Sequence, residues 1–259
     1  PSIASALKAT DTELTGITDA YQLGIAATVL YLGAVGDRYG RKGMLLLGAL
    51  LRVPFSLASA WSPNAVFLIV AQIAVGVAGG MLYPTTLSMI TALWRGKKLT
   101  GAIALWTGLG TGASVLGPIM GGYLLDNYWW GSVFLITVPF ALLVLVMGAI
   151  ILPRSRAAEK APVDHAGGSL SVVMISSFVL GIVMLPQGIT ITVAILFAVT
   201  LVSGTLFVWR QKRAPNPLFD LELAAVPTFW VAFVAGLVAF GALVGAMFIG
   251  QQFTQNVLR

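Results

Sequence analysis

No cysteine occurs in the 259 residues, which excludes disulfides and thiolate chemistry and leaves the compartment open. A single histidine, His165, argues against a histidine metal site. Charge is scarce as well: 9% of residues are Asp, Glu, Lys or Arg, against roughly a quarter in a soluble domain. Acidic groups are the rarest, with nine in the whole chain, and only Asp19 enters an apolar run. A membrane-embedded enzyme would need a nucleophile, a metal or paired acids at depth, and none is present in the sequence. The net charge of +6 is spread over the edges of apolar runs rather than gathered in a stripe with aromatics, so nucleic acid is not an expected partner.

What the chain has is hydrophobic length: 58% of it is apolar, in recurrent runs of about twenty residues, each long enough to cross a bilayer as a helix. The reading is an all-α, polytopic transmembrane helix bundle of about eight spans. Residues 1–14 are mixed polar and read as an extracytoplasmic loop. Five spans follow, at about 15–35, 44–60, 65–93, 100–125 and 132–152. Residues 153–168 form a polar connector, 169–209 hold two further runs divided at Pro186-Gln187-Gly188, 210–227 are a polar linker, and 228–259 hold a last span. The start at Pro1 and the stop at Arg259 lead us to expect part of a longer protein.

Orientation follows from the basic residues, which stay cytoplasmic in short loops. Twelve of the 15 fall in threes on alternate loops: Arg38, Arg41, Lys42; Arg95, Lys97, Lys98; Arg154, Arg156, Lys160; Arg210, Lys212, Arg213. The intervening turns near 61–64, 126–131 and 186–188 carry none, so the first span enters the cytoplasm near Gly33 and both ends lie outside.

The stretch Gly33 to Gly43, GAVGDRYGRKG, joins the first two spans. Its glycines are expected to let the backbone turn, and a carboxylate beside guanidinium groups at a helix junction can form charge-assisted hydrogen bonds. In Gly33, Asp37, Arg38, Gly40, Arg41 and Lys42 it resembles the signature loop of the major facilitator superfamily. That resemblance implies a conformational latch closing the cytoplasmic side against the second half of a transporter. Residues 113–122, ASVLGPIMGG, resemble the antiporter motif of the fifth helix in the same family, with Gly117, Pro118, Gly121 and Gly122 in place and Ala113 where the pattern has glycine. Small residues four apart admit a close neighbour, and proline bends the helix.

A candidate substrate and proton pathway comprises Asp19, Gln22, Arg52, Gln72 and Gly76. The family's antiporters usually place arginine four residues before a glycine in the fourth helix; here Gln72 stands there, before Gly76. Arg52 lies at matching depth on the preceding span and is expected to take over the buried charge and bond Gln72. Asp19, with Gln22 nearly a turn on, heads the first span. Aromatic and soft residues, Tyr21, Tyr31, Met81, Tyr83, Trp106, Phe240, Met247 and Phe248, are candidates for a cavity wall.

Pro217, Leu218, Asp220 and Leu223, with MLYPTTLSMI at 81–90 and TVPFA at 137–141, look like the fourteen-helix drug:proton antiporters. On that resemblance, 15–152 are helices two to six of the first bundle in a major facilitator fold. The 169–209 pair is inserted, and 228–259 begin the second bundle. The implied function is proton-coupled efflux of small, lipophilic or cationic compounds by alternating access across the cell membrane, powered by the proton gradient with no cofactor or metal. The alternative is the same fold exporting a metabolite such as a siderophore or amino acid. Implied partners are the lipid bilayer, protons, the small-molecule substrate, and the first helix and C-terminal bundle of its own chain.

Overall fold

A computed structural model describes residues 2–152, 162–219, 221 and 225–257, and every regular element among them is helical. In chain order these are α1 (Ser2–Leu7), α2 (Asp11–Tyr39), α3 (Arg41–Ala60), α4 (Ala65–Leu93), α5 (Lys97–Asn127), α6 (Ser132–Leu135), α7 (Thr137–Ile151), α8 (His165–Met184), α9 (Ile191–Arg213) and α10 (Pro227–Val257). A 3-10 turn at Leu185–Gln187 joins α8 to α9.

Six of the eight expected spans are helices long and apolar enough to cross a membrane: α3, α4, α5, α6 with α7, α8 and α9. The 29 residues of α2 reach about 43 Å, but Asp19, Gln22 and Asp37 dilute its apolar character. The described apolar stretch of α10, Pro227–Ala242, is shorter.

Several boundaries differ from the sequence reading. Residues 11–14 are the first turn of α2 rather than loop, because Thr10 and Glu13 form a reciprocal capping box. The eleven-residue loop from Gly33 to Gly43 collapses to one residue, Gly40 at φ 131°. Gly33 and Gly36 are helical instead, and a Cβ on either would touch Pro84 or Met44 and Thr85. Pro54 does not break α3, which runs on to Ala60. The second half of the polar connector is partly interior: Val163, Asp164, Gly167 and Gly168 are buried, while Pro162, His165 and Ala166 are exposed. Residues 153–161, with Arg154, Arg156 and Lys160, lie outside the described residues, as do Asp220 and Leu223.

Packing centres on α2, α3 and α4, with α7 against α3. The helix α8 lies on α2 and carries α9 with it. Lipid does not squeeze helices together as water does, so close contact requires small side chains. Ala20, Ala27, Ala49, Ala71 and Ala78 are accordingly buried, while Leu105, Ile119 and Ile150 face outward. A close crossing joins Gly24 of α2 to Gly76 of α4, where a Cβ on Gly76 would run into the Tyr21 carbonyl oxygen. At one end of the bundle Trp61 meets Trp129 at 5.3 Å between ring centres. At the other, Arg213 sits 4.4 Å over Trp209.

Candidate functional site

Asp37, in the last turn of α2, accepts a hydrogen bond from Arg41 Nε at 2.7 Å. It also accepts one from the Ser88 hydroxyl on α4. One carboxylate thereby joins three helices, and since helix packing fixes all three, its geometry reports any movement among them. Lys42 does not join this cluster. Its Nζ donates to the Ala149 and Leu152 carbonyls, both at 2.7 Å, and so closes the C-terminus of α7, where unpaired carbonyls favour a cation. Arg38, Asp37 and Gly33 border a cavity of about 530 Å³ whose opposite wall is Val163 and Asn216 to Leu218. All six residues of the signature stretch therefore gather at one corner of the bundle, with Lys42 turned toward α7 and Gly40 making the turn from α2 to α3.

The sequence reading passed over a second polar cluster beside this corner. Asp164 caps α8 through the Gly167 N–H at 3.1 Å, pairs with Arg210 Nη2 at 3.1 Å, and accepts from Gln211 Nε2 at 3.4 Å. Its side chain is 4% exposed, so the Arg210 guanidinium is its necessary partner. Gln211 Oε1 in turn accepts from the Leu218 and Phe219 N–H groups at 2.6 and 3.2 Å, which holds the linker against the first cavity. His165 bonds Tyr31 across α8 and α2, Nδ1 to Oη 2.7 Å, and stacks on Tyr39. The available signal was Asp164 three residues ahead of Gly167 before an apolar run, a helix N-cap pattern.

The pathway candidates separate. Arg52 and Tyr21 face a second, open-sided cavity of about 680 Å³, lined by α2, α3, α4 and α5 and by Phe240 of α10. Tyr83 and Trp106 form its aromatic wall, ring centres 5.1 Å apart, and Thr111 and Ser114 add hydroxyls. Arg52 does not bond Gln72. Its Nη1 reaches Tyr21 Oη at 3.4 Å, and its guanidinium carbon lies 5.5 Å from the Tyr21 ring centre. Gln72 is buried on α4 four residues before Gly76, whose place is the crossing with Gly24. Asp19 is half-buried and Gln22 exposed on α2, and neither lines the cavity. Tyr31 serves His165, Met81 is buried beside Gly48, and the side chains of Met247 and Phe248 lie outside the described residues.

The helix that carries Ala113, Gly117, Pro118, Gly121 and Gly122 has no buried residue. A Cβ on Gly117, Gly121 or Gly122 would meet nothing within 4 Å, so the close approach expected at this face is not made among the described residues. Pro118 is accommodated within the continuous α5.

The profile of the Major Facilitator Superfamily matches residues 1–255. The chain belongs to that superfamily. Among the superfamily's members it is 37% identical, over its full length, to "Multidrug efflux pump LfrA" of Mycolicibacterium smegmatis, covering 52% of that protein. It is 33% identical over 95% of its length to "Methyl viologen resistance protein SmvA" of Salmonella typhimurium, covering 50%. It is 28% identical over 99% to "Multidrug resistance protein Stp" of Mycobacterium tuberculosis, covering 48%. The chain thus spans about half the length of the curated relatives it matches. It is a multi-pass protein of the cell membrane, of a transporter family rather than an enzyme family, and these relatives fit the drug-antiporter branch read from its motifs.

Proposed function

We propose that this chain is the N-terminal part of a secondary transporter that exports small lipophilic compounds in exchange for protons, by alternating access. The observation that carries the reading is the 680 Å³ cavity: it lies among four helices of the bundle, walled by Tyr21, Tyr83 and Trp106, and has room for a drug-sized molecule. The three-helix cluster at Asp37 supports the alternating part, because a carboxylate shared by α2, α3 and α4 is the kind of contact that two states can make and break. On this reading the proton gradient drives the cycle without cofactor, and the partners are lipid, protons, substrate and the rest of the same polypeptide.

Proteoliposomes holding the full-length transporter, charged with an imposed proton gradient, test it. Expected is accumulation of a lipophilic fluorescent compound that collapses when a protonophore is added. Accumulation indifferent to the protonophore removes proton coupling, and no accumulation of any lipophilic probe removes the export reading.

A further inference from the structure

From the cavity wall we infer that Arg52 makes this transporter select cargo with a negative charge, an aromatic or amphiphilic carboxylate, over lipophilic cations. The inference rests on the efflux reading and names its substrate class. The helix α3 brings Arg52 to the wall half-buried, at membrane depth, nine residues before Trp61 at the helix end. A guanidinium there remains charged and is retained at a cost, so it is expected to hold a partner. Among the described residues it makes no ion pair, and the groups around it are Tyr21, Tyr83, Trp106, hydroxyls and aliphatic side chains.

Two further observations set the sign of the preference. The Tyr21 face, one of the aromatic faces on the wall that could attract a cation, is already taken, since the Arg52 guanidinium lies over that ring at 5.5 Å. A second cation in the same low-dielectric space would be repelled by Arg52, with no carboxylate on the described wall to offset it. Three of the cavity hydroxyls are already committed to backbone: Thr86 donates to the Tyr83 carbonyl at 2.8 Å, Thr111 to the Thr107 carbonyl at 3.0 Å and Ser114 to the Thr111 carbonyl at 2.7 Å. Arg52, with only a long 3.4 Å bond to Tyr21, keeps its remaining N–H groups for an acceptor. A carboxylate would dock on Arg52 while an attached ring lay against the Tyr83 and Trp106 pair.

The test uses the full-length transporter in proteoliposomes with three fluorescent probes of similar size: fluorescein, the cation ethidium, and a neutral aromatic compound. Binding is read separately, by quenching of tryptophan emission, in wild type, Arg52→Gln and Arg52→Lys. We expect the wild type to prefer fluorescein. In Arg52→Gln its KM and apparent Kd should rise about tenfold, as for one lost charge-assisted bond, with kcat and the neutral probe little changed. Arg52→Lys should recover part of the loss. An unchanged fluorescein KM and Kd, a wild type that prefers ethidium, or equal loss of all three probes in a folded Arg52→Gln protein would each overturn the inference. Fluorescein binding that depends on Arg52, without transport of any probe, supports the site while refuting the export reading.

Discussion

Asp37 carries two bonds from different helices, yet its side chain is 45% exposed, so the Arg41 pair alone stabilises the fold by about 1 kcal/mol or less. Its value is therefore positional. Asp37→Asn in the full-length transporter should cut transport several-fold and shift its state populations while sparing membrane insertion. Ser88→Ala, which removes the bond from α4 and leaves Arg41 in place, should give a smaller loss in the same assay. Unaltered transport in Asp37→Asn would count against the latch. A second residue-scale expectation concerns Glu13, whose carboxyl is held below its ordinary value first by the Thr10 backbone N–H and then by the Thr10 hydroxyl. The cap is thus complete above the ordinary carboxylate range and is lost as pH falls through the lowered value. Order at the start of α2, followed by backbone chemical shifts, should fade only on acidification below the ordinary carboxylate range and be acid-insensitive in Glu13→Gln. Of the candidate site, the pairing of Asp37 with Arg41 was legible because its i, i+4 spacing is local. The partner of Arg52 was not, since Gln72 and Tyr21 are both within plausible depth and only the rotation of α3 chooses between them.

Among the elements, α4 was legible to the residue: Asn64 caps it and its apolar run stops at Leu93. The α2 to α3 junction was misjudged because glycine has two uses. At Gly40 it permits a positive φ, while at Gly33 and Gly36 it makes room for α4, and the neighbour that tells these apart lies some fifty residues away. Asp164 looked solvated for the same kind of reason, since its partner Arg210 arrives 46 residues later on α9. The Gly24 and Gly76 crossing gives the sharpest element-scale expectation. Gly76→Leu puts a side chain against the Tyr21 carbonyl oxygen and must push α2 from α4, costing about 1–3 kcal/mol or more. Thermal unfolding of the purified full-length protein should show a clear fall in Tm. Gly43→Ala, with nothing within 4 Å, should leave Tm unchanged.

At the scale of the whole molecule, two kinds of surface alternate. The core triad of α2, α3 and α4 is tied by small-residue crossings and by Asp37, whereas α5 presents its glycines outward. Large residues at Gly117 and Gly121 should consequently be tolerated by this chain's own packing; impaired transport with normal Tm in the Gly121→Leu full-length protein would assign that face to the moving half of the cycle. Lys42 bears on assembly in a different way. Its clasp on Ala149 and Leu152 fixes the end of α7 to α3, while α8, with α9 packed on it, is held separately to α2 by the Tyr31–His165 bond and by Gly168 seated against the Tyr31 ring. With both banks moored, the covalent bridge between residues 152 and 162 is not what keeps them together. The transporter should therefore survive being made in two pieces divided there, the halves co-purifying and still exporting, and losing each other when His165 and Gly168, which meet Tyr31 of α2, are replaced by Ala and Leu.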